Sequence, residues 1–275
     1  MTMRLRRTMR TAVTAIMGAG AAWSGVALAQ DARDLCADRP GLGTPACTVD
    51  TGRVVVELGL GDWTREKDAS SRTDTIQAGD ALVRLGLGDH LEAQIGWTAY
   101  GHVRTRDRPS GAVEKDSGVG DVQVALRRNL SNPDGSGFSI AIMPYVSLPA
   151  GGSAIGDGDW GAGLIVPVSF DLGGGFSLGL TPEIDAAVDE DRSGRHFAYG
   201  SVAGLGFSLS DSVSGAIEAQ VTRDDDPAGH ATEALGGLSF AWQPSDDMQF
   251  DIGANIGLNA DSPDSEVYLG VVRRF

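Results

Sequence analysis

Ten carboxylates and four guanidiniums fall on one face of segments that alternate polar and apolar residues: Glu57, Asp80, Glu92, Asp121, Glu183, Asp185, Glu218, Glu233, Asp251 and Glu266, with Arg53, Arg84, Arg127 and Arg274. If such segments cross a membrane, that face must be the inner one, because Arg or Lys turned to lipid at the midplane costs about 2–4 kcal/mol. Lining a lumen, an acidic excess favours cations over anions, as carboxylate rings do in pores. The same groups also suit a blander task, pairing with one another and hydrating the inside of a wall. Both readings follow from the spacing alone.

Other chemistry is harder to build. Nucleophilic catalysis needs a base and an orienting group within reach of the nucleophile. The four histidines, His90, His102, His196 and His230, fall in predicted turns, near a strand end or at loops, with no Gly-x-Ser-x-Gly elbow and no His-x-x-x-His pair. Asp157-Gly158-Asp159 and Asp224-Asp225-Asp226 offer oxygen ligands for weak Ca²⁺ binding, or are hydrated loop tips. Gly-Leu-Gly-Asp at 59–62 and 86–89 opens no helix and so gives no nucleotide site. No catalytic residue, metal site or cofactor is assigned, and a barrel hydrolase is the least favoured function.

The two cysteines, Cys36 and Cys47, lie eleven positions apart around Pro40, Gly41, Gly43 and Pro45. In an oxidising compartment a disulfide is the default pairing, and a metal would need further ligands that the neighbouring sequence does not supply.

That compartment is indicated by the first residues. Arg4, Arg6, Arg7 and Arg10 precede an apolar run from Thr11 that ends Ala27-Leu28-Ala29. The pattern predicts a cleaved signal peptide, 1–29, rather than an anchor, with Gln30 expected to open the mature chain. Losing those four arginines takes the formal charge from -15 to -19. So acidic a surface excludes nucleic acid as a partner. After Ala29 no stretch approaches the roughly 18 apolar residues of a spanning helix.

Strands must then position the charged face, and period two runs throughout. Met248, Phe250, Ile252, Ala254, Ile256 and Leu258 oppose Gln249, Asp251, Gly253, Asn255 and Gly257. Similarly, Glu92, Gln94, Gly96, Thr98 and Tyr100 make a polar face opposite Leu91, Ala93, Ile95, Trp97 and Ala99. Twelve strands are predicted, at 53–63, 74–87, 91–103, 118–130, 137–148, 159–172, 176–188, 197–209, 213–222, 231–242, 248–258 and 265–275. Their connections alternate between short turns and longer polar loops, as in outer-membrane barrels with both termini periplasmic. Aromatics gather near strand ends, where interfacial girdles form. Pro144, Pro167 and Pro182 fall inside strands and predict bulges or a locally open wall.

The expectation is an all-β fold, a twelve-stranded antiparallel transmembrane β-barrel of outer-membrane type over 53–275. It ends on Phe275 as an assembly signal, and segment 30–52 either plugs the periplasmic mouth or rests beside it. The partners expected are outer-membrane lipid, the barrel-assembly machinery and a small solute.

Cys36-Ala37-Asp38-Arg39-Pro40-Gly41, Thr44-Pro45-Ala46-Cys47, Gly118-Val119-Gly120-Asp121-Val122, Ser147-Leu148-Pro149-Ala150-Gly151-Gly152 and the final Arg-Phe together resemble the bacterial outer-membrane transporters labelled MetA-pathway phenol-degradation proteins. The resemblance spans 36–275, and Arg273 departs from the aromatic or aliphatic residue usual there. It implies passive passage of small, aromatic or otherwise apolar solutes and carries over no agreed functional residues. A closed barrel acting through its outer loops is the alternative.

Overall fold

The computed structural model describes residues 33–152 and 154–275. The signal peptide expected at 1–29 lies outside the described residues. Fourteen strands run in order: β1 (Val54–Lys67), β2 (Ser71–Gly88), β3 (Leu91–Asp107), β4 (Val113–Gly118), β5 (Val122–Ser131), β6 (Phe138–Leu148) and β7 (Gly161–Ile165). They continue as β8 (Val168–Gly173), β9 (Phe176–Val188), β10 (Arg195–Ser210), β11 (Val213–Asp226), β12 (Gly229–Ser245), β13 (Met248–Gly257) and β14 (Ser265–Arg274). Two staves of the wall are each made of two strands, β4 with β5 and β7 with β8, so the barrel has twelve staves, all antiparallel. β14 pairs β1 from Val55↔Arg274 to Arg65↔Ser265, which closes the sheet and leaves no edge in lipid.

Alternation explains why these residues make a barrel. Ile217, Ile252, Ile256 and Leu258 stand exposed on the outside, while Gln249, Asp251 and Asn255 on the same stretch are buried inside. Trp242 and Phe250 stack at one end of the wall, and Phe197 and Tyr199 at the other. The end carrying Phe275 and the short connections is here called the turn end, and the opposite one the loop end.

At the loop end three of the predicted loops, those after β1, β3 and β11, are shorter than their polarity suggested. The ladders continue to Lys67↔Arg72, Arg106↔Val113 and Asp226↔Gly229. Charged cross-strand pairs such as Arg65 with Asp74 sustain pairing above the apolar band, so loss of hydrophobic alternation does not end a strand there.

Three prolines test the wall. Pro144 and Pro182 remain within β6 and β9, and Pro167 falls in the break between β7 and β8. The expected open wall is corrected: Ala141 N–H still donates to Pro167 O at 2.9 Å and Val166 N–H to Pro182 O at 2.9 Å. A proline loses its donor but keeps its acceptor, so the ladder carries across.

Face assignment changes once. Glu57 and Gly59 point inward opposite Asp80, then Leu60 turns out and Asp62 and Gln77 take the inner face. Gly79, at φ 72, makes the matching inversion in β2. In β3 it puts Gly101 inside with Gln77, and Tyr100, expected inside, turns outward with Ala78.

Candidate functional site

The lumen is occupied near the turn end by the chain's own N-terminal segment, 33–52, which folds inward as a plug. Cys36 and Cys47 form the expected disulfide and close its loop. A segment rich in Gly and Pro forms no ladder of its own, so its backbone donors and carbonyls must be met by the wall.

The lumen charges meet them. Arg84, fully buried, donates from Nη1 to Glu57 Oε1 (3.0 Å) and to Cys36 O (2.6 Å), and from Nε to Glu92 Oε1 (3.0 Å). Arg127, also fully buried, reaches Asp38 Oδ2 at 2.6 Å and donates to Cys47 O at 3.1 Å. Glu57 accepts the N–H groups of Asp38 and Arg39, each at 2.9 Å, and Glu92 accepts that of Val49 at 2.7 Å. Burial pushes the Asp38 carboxyl up, but the Arg127 and Arg84 guanidiniums outweigh it and hold the group below its ordinary value. Arg84, Arg127, Glu57 and Glu92 are all fully buried, and buried charges are tolerable only when paired.

Round the lumen, Arg39 Nη2 lies 2.9 Å from Asp251 Oδ1, and Arg39 stacks 5.6 Å from the Tyr268 ring centroid. Glu218 receives the N–H groups of Leu42 (2.8 Å) and Gly43 (3.1 Å). Gly41 sits at φ 119, and a Cβ there would lie 2.5 Å from Glu218 Oε2, so glycine serves both the turn and the close approach. Thr44 N–H donates to Thr181 Oγ1 at 3.2 Å. At the rim Arg274 holds Arg33 O (2.6 Å) and Asp247 (2.7 Å). Val49 packs on Val55 and Val272, with Leu35 and Ala37 against them, as a small apolar core between plug and wall.

The plug is fastened eccentrically. Its ion pairs go to β2, β5, β13 and β14, and carboxylates of β1 and β3 take its backbone N–H groups. Towards β8–β11 it leaves a cavity of about 250 Å³, lined on the wall by Gly179, Thr181, Val202, Gly204, Gly206 and Ala216 and on the plug by Ala37, Pro40 and Pro45. Small side chains on the inner face of these strands make the room. Beyond the plug lies a second cavity of about 190 Å³, bounded by Arg39, Asp62, Gln77, Asp80, Asn255, Glu266 and Tyr268.

The fourteen lumen candidates thus divide. Glu57, Arg84, Glu92, Arg127, Glu218, Asp251 and Arg274 hold the plug or its rim. Asp80 (with Thr98), Glu183 and Asp185 (both on Tyr145 Oη), Glu266 (with Asn255) and Glu233 lie nearer the loop end. Asp121 accepts the N–H groups of Ala150, Gly151 and Asp157, and Ile155 packs over Gly101. Arg53 precedes β1 at the rim. Sequence reasoning missed Asp38 and Arg39, whose partners are remote in sequence, and Asp62, hidden by the face inversion. Phe275 exchanges both backbone hydrogen bonds with Val54, at 2.8 and 3.2 Å.

This is an outer-membrane-type β-barrel whose lumen is narrowed by its own N-terminal segment. Residues 37–275 match the family described as "Putative MetA-pathway of phenol degradation", and the chain belongs to that family. No curated protein matches it. Among solved structures it is similar to the transport unit of the autotransporter AIDA-I from Escherichia coli (8% identity, TM-score 0.53, 80% of this chain and 89% of that one). It is also similar to the translocator domain of NalP from Neisseria meningitidis (14%, 0.52, 82% and 89%). A third likeness is to the KdgM porin in complex with disordered oligogalacturonate (7%, 0.50, 81% and 99%). At these identities the likeness is one of fold.

Proposed function

We propose that the protein is an outer-membrane channel that passes a small solute by passive diffusion, with its turn end and Phe275 facing the periplasm. The observation that carries this reading is the cavity of about 250 Å³ between the plug and β8–β11. An apolar cavity of about 150 Å³ already accepts benzene. The larger space beside Pro40, Pro45, Val202 and Ala216 also has Asp38, Glu218, Thr44 and Thr181 on its lining, so it suits a one-ring aromatic with a polar substituent, in keeping with the family's description. The carboxylates Asp80, Glu183, Asp185, Glu233 and Glu266 nearer the loop end bias any accompanying ion flow towards cations. Nothing in this reading is turned over chemically.

The test is planar-bilayer conductance and liposome uptake of phenol by the folded chain and by Gly179→Trp. Gly179 lines the cavity and a Cβ there meets nothing within 4 Å, so a side chain at this position starts into the cavity without a clash at its root. Cation-selective current and uptake, both reduced in the variant, support the channel. Equal flux in the variant removes this route. No flux from folded wild type favours the second reading, for which the plug itself speaks: a closed barrel whose loops do the work.

A further inference from the structure

The loop end carries a cluster that the plug does not touch. His196, near the start of β10, shares the inner face with buried Ala198 and Val202, and its side chain is 5% exposed. Three carboxylates surround the ring. Nδ1 lies 3.0 Å from Asp189 Oδ1 and 3.3 Å from Asp226 Oδ2, and Nε2 lies 2.8 Å from Asp224 Oδ1. A ring nitrogen carries at most one proton, so it can satisfy only one of the two acids that converge on Nδ1. Nε2 is buried, and Asp224, though close, stands out of line for a hydrogen bond, which leaves that nitrogen without a partner. The flanking arginines give no relief, since Arg195 turns to Asp159 and Arg223 to Asp225.

We propose that this cluster is a divalent transition-metal site, with Zn²⁺ held by Asp189, His196 Nδ1 and Asp226. These three ligand atoms lie within 4.8 Å of one another. Tetrahedral Zn²⁺, at about 2.0–2.2 Å from each ligand, asks for ligand separations of roughly 3.4 Å. The separations of 3.0 and 3.3 Å from Nδ1 are close to that. An imidazole with two carboxylates suits zinc, whereas Ca²⁺ takes six to eight oxygens. Asp224 Oδ1, 2.8 Å from Nε2, then acts as the positioning carboxylate through its charge, favouring the ring proton on Nε2 and leaving Nδ1 free for the metal. Bound there, the ion cross-links the β9–β10 connection to the β11–β12 hairpin at the inner rim of the mouth.

The test is calorimetric titration of the folded, chelator-stripped full chain with ZnCl₂ and, separately, CaCl₂, with Co²⁺ absorption as a ligand-sensitive readout. One saturable Zn²⁺ site is expected. His196→Gln and Asp226→Asn should abolish it, and Asp224→Asn should weaken it about 10- to 100-fold. Folding of each variant is checked by circular dichroism, and the wild-type titration stands whether or not a variant folds. Absence of saturable Zn²⁺ uptake by folded wild type overturns the proposal. So does uptake unchanged in His196→Gln, or a Ca²⁺ affinity equal to that for Zn²⁺, since either result would place the ion on the acids alone.

Discussion

Arg127 Nη2 lies 2.6 Å from Asp38 Oδ2, and this pair joins strand β5 of the wall to the plug across 89 residues of chain. Arg127 is fully buried, and 15% of the Asp38 side chain is exposed. Both also contact the Arg84–Glu57–Glu92 group, so the pair belongs to a network in which Arg84, Arg127, Asp38 and Glu92 each face at least two counter-charges and Glu57 faces one.

Removing one partner should therefore be costly. Arg127→Met leaves Asp38 and Glu92 short of a counter-charge in a buried site, and breaking a buried pair costs about 3–5 kcal/mol. The expected result is a lower urea midpoint and a larger, noisier conductance as the plug loosens. An unchanged midpoint would mean that the plug contributes nothing to stability.

Acid should act on the same pair. The Asp38 carboxyl is held below its ordinary 3.8 when docked, so the docked plug gains stability from its ionised form. That gain is fully present above 3.8 and is lost as the pH falls through the lower docked value. Asp38's share of the docking should hold from neutral pH down to about 4 and fall away below it, read as a rise in conductance that is absent from Asp38→Asn. Asp38→Asn should show the raised level throughout, with no step in that window.

Reduction tests the other restraint. The Cys36–Cys47 bond closes a short loop that presents Asp38, Arg39, Leu42 and Gly43 to five different strands, β1, β2, β5, β11 and β13. Bridging a loop of about 15 residues is worth roughly 3 kcal/mol by loop entropy. Dithiothreitol, or Cys36→Ser with Cys47→Ser, should make segment 33–52 sensitive to limited proteolysis while the strands stay protected. Mass spectrometry of the fragments reads this directly.

The lipid-facing seam can be checked separately. Leu269 of β14 pairs Ile252 and is 45% exposed on the outside, whereas its neighbour Tyr268 is inside against Arg39. Leu269→Arg should destabilise the barrel by about 2–4 kcal/mol in denaturant titrations in lipid, the cost of a guanidinium near the midplane. A neutral result would place Leu269 away from the hydrocarbon.

Strands such as β13 were legible because their apolar and polar sets separate at period two without a break. The same rule misplaced Tyr100, because one inversion near Gly79 and Leu60 leaves normal alternation on either side and no local trace. The disulfide could be read from two cysteines and the compartment. The docking of the plug could not, since Gly41, Gly43 and Pro45 carry no periodic pattern and their partners, Glu218 and Thr181, lie far along the chain. Lumen charges such as Arg84 and Glu92 were recognised as inward, but whether such groups face water or protein depends on what else enters the barrel. Asp121 looked like a lumen acid, and its backbone partners at 150, 151 and 157 lie in a connection with no repeating signal.

The plug precedes β1 in the chain, and its docking partners follow in order: Glu57 at a separation of 19 residues, Arg84 at 48, Arg127 at 89, Glu218 at 176 and Asp251 at 212. Loop-closure entropy grows only slowly with such distances. Each newly paired stave can therefore gain a contact with a segment that is already there. The seam between β14 and β1 closes around a filled centre, with Val49 of the plug packed on Val55 and Val272 across it, so the plug doubles as a former that matches the sheet's circumference.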